Sequence, residues 1–324
     1  MKTWTALTVA LATFTASGAA FAASSNCLIF VHGTAKDSAS ADYLYNPLGA
    51  LNYWGGGVQT ATANGARRYV VHYQGSQAWW QAAADVSAQI NHALDGGSDG
   101  SGGSCAGATN FVLITYSMGG PVVDFILGNA TPGDANYNFN GNYARIASSV
   151  AYVISLSGAH RGSEYADAAC GNGPWFGCDI VGWFAGSCTM SNEWLQTADG
   201  YRVETYSSAP DLATYLIEGG ADPYDGGCLA DPHDGAVAYA SGFACGGSAT
   251  ADWSRTSQCS NSYKQETGNF FNVDHTAEDH TQIRTGTYTN AARWCATSDF
   301  FWGCTSPGST VYQQSTMLLL GSMY

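Results

Sequence analysis

The six residues Thr115-Tyr116-Ser117-Met118-Gly119-Gly120 hold the group in this chain best suited to chemistry. A serine hydroxyl works as a nucleophile when a sharp strand-to-helix turn pushes it clear of the backbone. Small residues two positions to either side let that turn close. Gly119 is one of them, and Thr115 stands where glycine is usual. Met118, next after the serine, would offer its backbone N–H to the oxyanion of an attacked carbonyl. The partial positive charge at the start of the following helix would add to it. Acyl transfer through a serine also needs an imidazole to take the proton and a carboxylate to orient that imidazole. Downstream, "ADPYDGGCLADPHDGAV" at 221–237 carries Asp222, Asp225, Asp231 and Asp234, and "VDHTAEDHTQIRTG" at 273–286 carries His275 and His280.

The elements that must position these groups read as alternating strands and helices. Cys27–Val31 and Tyr69–Tyr73 are short apolar strands, and Phe111–Tyr116 is a longer uninterrupted one. A strand without polar alternation belongs in a sheet buried on both faces. Trp79, Ala83, Val86, Ile90 and Ala93 recur at helical spacing. A second helix is expected over Gly119–Gly128, with Pro121 in its first turn, where its missing N–H costs nothing. Val150–Leu156, a weaker Thr214–Ile217 and a last Phe270–Val273 complete the strands, and "DGGSDGSGGS" at 95–104 reads as a linker. The alternation predicts an α/β fold with a mostly parallel sheet and helices on both faces. Residues 163–205 and 240–268, rich in Gly, Cys and aromatics, read as loop insertions on the C-terminal side of the sheet.

Composition narrows the partners. The chain has 324 residues and a net charge of −14, with 11 basic side chains. Nucleic acid needs clustered Lys and Arg, so it is not an expected partner. Lys2, the apolar run Trp4–Phe14 and Ala20-Phe21-Ala22 make residues 1–22 a secretory signal peptide, leaving 23–324 as one exported domain. No later apolar run is long enough to span a bilayer. All ten cysteines follow residue 22, so a disulfide framework is expected. Cys295 with Cys304 is the simplest local pair. Cys170, Cys178 and Cys188 form a cluster of three that cannot close on itself if all are oxidised. No zinc motif appears, and no catalytic metal is expected.

Four segments together resemble the secreted bacterial lipase and esterase branch of the α/β-hydrolase superfamily, in the family's order and over most of the mature chain. They are Phe30-Val31-His32-Gly33-Thr34, the Ser117 segment, Ser157-Gly158-Ala159-His160-Arg161-Gly162-Ser163, and Asp234-Gly235-Ala236-Val237. The resemblance implies an α/β-hydrolase fold and a lipase-like carboxylic ester hydrolase with a Ser-acid-His chain order. Thr34 would supply the second oxyanion N–H beside Met118. A neutral ester, lipid or polyester would be the substrate, with no cofactor, no transmembrane segment and a monomeric chain. The acid is expected at Asp234, because the aliphatic pair Ala236-Val237 can anchor the backbone in the core. Asp222, soonest after the Thr214–Ile217 strand, is the alternative. His280 opens a His-x-x-aliphatic-Arg run like the family's and is preferred to His275. His32, His160 and Arg161 read as scaffold. The surplus aspartates leave a structural calcium site open, although no EF-hand spacing supports it. Two other functions share these features: an extracellular polyester (polyhydroxyalkanoate) depolymerase, and a non-catalytic binding protein on the same fold.

Overall fold

A computed structural model of the chain describes residues 25–35, 38–130, 141–170, 188–190, 193, 195–196, 214–220, 236–237, 239–242, 270–275, 280–285, 292–295, 311–313, 317 and 320–321. Strand β1 (Asn26–Val31) leads into helices α1 (Ser38–Tyr45), α2 (Pro47–Tyr53) and α3 (Gly57–Ala61), then β2 (Arg67–Val71) and α4 (Trp79–Leu94). Next come β3 (Asn110–Tyr116), α5 (Gly119–Gly128), α6 (Gly141–Ser149), β4 (Val150–Leu156) and α7 (Glu164–Ala169). The remaining elements are β5 (Thr214–Gly220), α8 (Tyr239–Gly242), β6 (Phe270–His275), α9 (His280–Thr285), β7 (Ala292–Cys295) and β8 (Val311–Gln313).

The strands form one sheet in the order β2-β1-β3-β4-β5-β6-β7-β8. Pairing is parallel from β2 through β6 and antiparallel at β6–β7 and β7–β8. The chain runs outward from β1 to β2, then returns to place β3 on the other side of β1. That reversal is a topological switch point, where adjacent strand ends open a crevice. The crevice lies beyond Val31 and Tyr116, and the residues that follow those two strands are His32–Thr34 and Ser117.

Both sheet faces are covered, which accounts for the unbroken apolar strands. Ile29, Val31, Leu113 and Val153 face α4, α5 and α6 through Trp79, Val86, Ile90, Val122, Ile126 and Ile146. Leu28, Phe30, Val112, Ile114 and Leu156 point the other way, toward Trp54, Val58, Ile283, Met317 and Leu320. Each such side chain contributes about 1.5–3 kcal/mol on burial. Sequence-distant segments, among them α9, are therefore held against the sheet by the same layer that includes β3.

Several expectations change. The second strand ends at Val71 and not at Tyr73, because His72 and Tyr73 are drawn into side-chain contacts: the His72 N–H donates to Gln89 Oε1 and the Tyr73 ring stacks on His32. Phe270–His275 is not the last strand, since β7 and β8 extend the sheet beyond it. The Gly/Ser segment 95–104 is an organised loop around buried Asp99 and not a linker. Asp99 Oδ1 accepts from the N–H groups of Ser101 and Gly103 at 2.7 and 2.8 Å, and Oδ2 accepts from Val70 N–H at 2.9 Å. Among the described residues strand β2 lies at the edge of the sheet, and Asp99 satisfies a donor on it that no described strand takes. Arg68 balances its charge at 3.6 Å.

Among the described residues, Cys27–Cys105 and Cys170–Cys188 are disulfides. The second resolves two of the three clustered cysteines. Cys178 and Cys304 lie outside the described residues, as do the proposed signal peptide and most of both insertions.

Asp99→Ala strips a buried acceptor from three backbone donors at once. It should lower the free energy of unfolding by at least about 3 kcal/mol in urea titrations, with the turnover of the folded protein unchanged.

Candidate active site

Ser117 follows β3 and precedes α5 with φ of +54°, a left-handed conformation that a non-glycine residue adopts at a cost of about 1–3 kcal/mol. Three backbone hydrogen bonds hold it there. Its N–H donates to Leu156 O at 3.2 Å, and its carbonyl accepts from Gly120 and Ala159 N–H at 3.1 Å each. The turn closes because Gly119 lies against the end of β1, where a Cβ would come within 2.7 Å of the His32 carbonyl. Thr115, in place of the usual glycine, is buried in the sheet, and among the described residues its hydroxyl has no hydrogen-bond partner. The sharp turn expected from the sequence is present.

The segment after β1 lies directly over this serine. A Cβ built on Gly33 would sit 2.6 Å from Ser117 Cβ and 3.1 Å from Ser117 Oγ, so only glycine fits there. Thr34 follows at once. Its hydroxyl donates to Gly75 O at 3.1 Å, tying this segment to the loop after β2. Met118 is buried at the N-cap of α5, and among the described residues no acceptor takes its N–H.

His32 is scaffold, as expected. Its Nδ1–H donates to Gly33 O at 2.8 Å, and Nε2 accepts from Tyr73 N–H at 3.3 Å. The ring stacks on Tyr73 at 4.0 Å, and the Tyr73 hydroxyl donates to His32 O at 2.6 Å. Burial lowers the His32 pKa from 6.5 to about 4, so the ring above the site is neutral. Burial also raises the pKa of Tyr73 well above its ordinary value.

His280 opens α9, and the residue before the serine secures it. The Tyr116 hydroxyl donates to His280 O at 2.7 Å, with the two rings 4.6 Å apart. Four residues on, the Arg284 guanidinium lies 4.0 Å over Tyr53 and 5.6 Å from the Tyr116 ring, while Ile283 is buried in the core. His275 is instead the terminal residue of β6, paired with Gly220 and Ala292 in the sheet. Asp222, Asp225, Asp231 and Asp234, including the calcium option among them, lie outside the described residues. The pair expected to anchor Asp234 is visible. Ala236 and Val237 are both in the main core, and the Ser163 hydroxyl donates to Ala236 O. The Arg161–Ser163 segment is fixed further by Ser241, whose hydroxyl accepts from Arg161 N–H at 3.0 Å and donates to Gly162 O at 2.6 Å.

Sequence reasoning missed four contributors. Gly33 and Tyr116 were quoted only as motif members, although one touches the serine and the other holds His280. Asp124 and Ser155 were overlooked. Each carried a signal, as a lone acid inside the apolar helix "GGPVVDFILG" and a lone serine inside the apolar strand "VAYVISL". Both contact His160.

The parallel sheet, the switch point and the strained serine between β3 and α5 define an α/β-hydrolase architecture. No family model matches the sequence, and no curated protein matches it. Among solved structures, the mature lipase BlEst2 of Bacillus licheniformis is similar at TM-score 0.49 and 18% identity, over 81% of this chain and 87% of that one. EstA of Clostridium botulinum is similar at 0.48 and 13%, over 81% and 83%. Staphylococcus hyicus lipase is similar at 0.47 and 12%, over 81% and 89%. These likenesses are weak, and the chemistry of the site has to come from its own atoms.

Gly33→Ala should displace the Ser117 hydroxyl and cut kcat by about 100-fold in a protein that still folds, as read by circular dichroism beside an ester assay. His32 gives a pH signature. Between pH 6.5 and 4 the unfolded chain gains a proton on this ring that the folded chain refuses, so stability falls as pH drops. By pH 5 the loss is about 2 kcal/mol. Urea titrations at pH 7 and 5 should show a difference smaller by that amount in His32→Gln.

Proposed function

We propose that this protein is an exported carboxylic ester hydrolase of lipase type that works through an acyl-enzyme on Ser117. The observation that carries the reading is the left-handed serine between β3 and α5, with Gly33 against its side chain. His280 takes the proton as Ser117 Oγ attacks the ester carbonyl, and Asp234 orients the imidazole and stabilises its charge. The backbone N–H groups of Met118 and Thr34 receive the oxyanion. The tetrahedral intermediate collapses, His280 protonates the departing alcohol, and water then releases the acid by the same steps in reverse roles. The chemistry uses no cofactor.

His280 is preferred to His275 because it is tied to Tyr116, the residue next to Ser117. Asp234 is preferred to Asp222 because Ala236 and Val237, two and three residues on, are in the core, and the Ala236 carbonyl is bonded to Ser163. Export is supported by the two disulfides and by the composition of residues 1–22. Among the described residues no helix is long and apolar enough to cross a membrane.

A fluorophosphonate probe should label Ser117 and no other residue. Ser117→Ala and His280→Ala should each lower kcat on p-nitrophenyl esters by at least about 1,000-fold, and Asp234→Asn by a comparable factor. His275→Ala and Asp222→Asn should stay within about threefold of wild type. A wild-type protein that the probe ignores, with Ser117→Ala changing nothing, would instead mark a binding protein. Cleavage of polyhydroxyalkanoate films in preference to tributyrin would mark a polyester depolymerase.

A further inference from the structure

Beneath the elbow lies a second series of serine, histidine and carboxylate. Ser155 Oγ is 2.7 Å from His160 Nε2, and His160 Nδ1 is 2.5 Å from Asp124 Oδ2. A neutral ring satisfies both contacts: Nδ1–H donates to the carboxylate, and the Ser155 hydroxyl donates to Nε2. All three side chains are sealed from solvent, at 0–1% exposure. No substrate can reach Ser155, so this is not a second nucleophilic centre.

Its position says what it does. Asp124 lies on α5, the helix that Ser117 precedes; Ser155 lies on β4; and His160 lies in the loop that leaves β4. The end of β4 and the loop after it supply two of the three hydrogen bonds on Ser117, through Leu156 O and Ala159 N–H. The His160 ring also faces the first turn of α5, where a Cβ on Gly120 would lie 3.0 Å from Cε1. Within the loop Ser157 is left-handed as well, at φ +44°. Two strained serines at adjacent strand ends would relax unless something kept the loop and the helix at a fixed spacing. The ring of His160, bonded at both nitrogens, spans that gap. An apolar core would fill the same space without costly burial of a carboxylate, so the polar series is retained for geometry.

We infer that Asp124, His160 and Ser155 are positioning residues for the nucleophile, holding the 156–160 loop against the first turn of α5 so that the Ser117 hydroxyl and the Met118 N–H stay aimed at one point. The inference rests on Ser117 being the nucleophile. None of the three touches substrate, so their loss acts on the chemical step and leaves binding alone.

The test compares Ser155→Ala and Asp124→Asn with wild type, with Ser117→Ala and with Asp99→Ala, which perturbs stability at the β2 edge without touching Ser117, Asp124, Ser155 or His160. Rates on p-nitrophenyl acetate are expressed per molecule that the fluorophosphonate probe labels at completion. Ser155→Ala and Asp124→Asn should lose between about 10-fold and 100-fold in kcat, with KM within about twofold and the labelling rate slowed in parallel. Asp99→Ala should lose stability and keep its kcat. The inference is overturned if both variants keep the wild-type kcat per labelled molecule, if activity falls only with the labelled fraction, or if neither variant yields any protein the probe can label. Hydrolysis surviving in Ser117→Ala, or probe found on another residue, would bring down the catalytic reading beneath the inference and is distinguishable from all of these.

Discussion

One backbone torsion organises this molecule. Ser117 is held at a φ that its side chain disfavours, and everything around it opposes relaxation. The strand before it is locked between β1 and β4, the helix after it is packed on the sheet, and its own amide and carbonyl are bonded to the loop that leaves β4 and to α5. A strained residue persists only when its surroundings over-determine it. Here they also turn the hydroxyl toward the crevice that the strand order opens between β1 and β3.

The surroundings divide the work by charge and by face. Above the serine, His32 is neutral and its ring is fixed by Tyr73, so the segment after β1 is braced without a competing charge. Below it, the buried acid, imidazole and hydroxyl of Asp124, His160 and Ser155 link helix, loop and strand. To one side, Tyr116 and Arg284 fasten α9 to β3. Each arrangement pairs a polar group that would be costly to bury alone, and each pairing is directional where an apolar contact is not.

The legibility of the site in the sequence follows the range of the forces involved. The Ser117 turn depends on strand, turn and helix signals within about a dozen residues, and both α5 and β4 lie where the sequence places them. The burial of Ala236-Val237 was likewise readable, because two aliphatic residues after a turn have one favourable place to go. The Gly/Ser run at 95–104 misled because its composition is that of a linker. A single carboxylate, Asp99, converts it to an ordered loop through a backbone donor on β2 far away in sequence. Strand β2 was misplaced by two residues for the same reason, since the partners of His72 and Tyr73 lie on α4 and at the end of β1.

The sequence by itself determined the class of fold, the place of the sharp turn at Ser117 and the structural role of His32, because local patterning and burial of apolar runs are written residue by residue. Only the tertiary structure decided that Gly33 lies on Ser117, that Tyr116 holds His280 while His275 stays in the sheet, and that His160 is wedged between Asp124 and Ser155. Those contacts join segments far apart in the chain. Their distances are set by how two packed faces close on one sheet, a property of the assembled layers that no stretch of sequence carries alone.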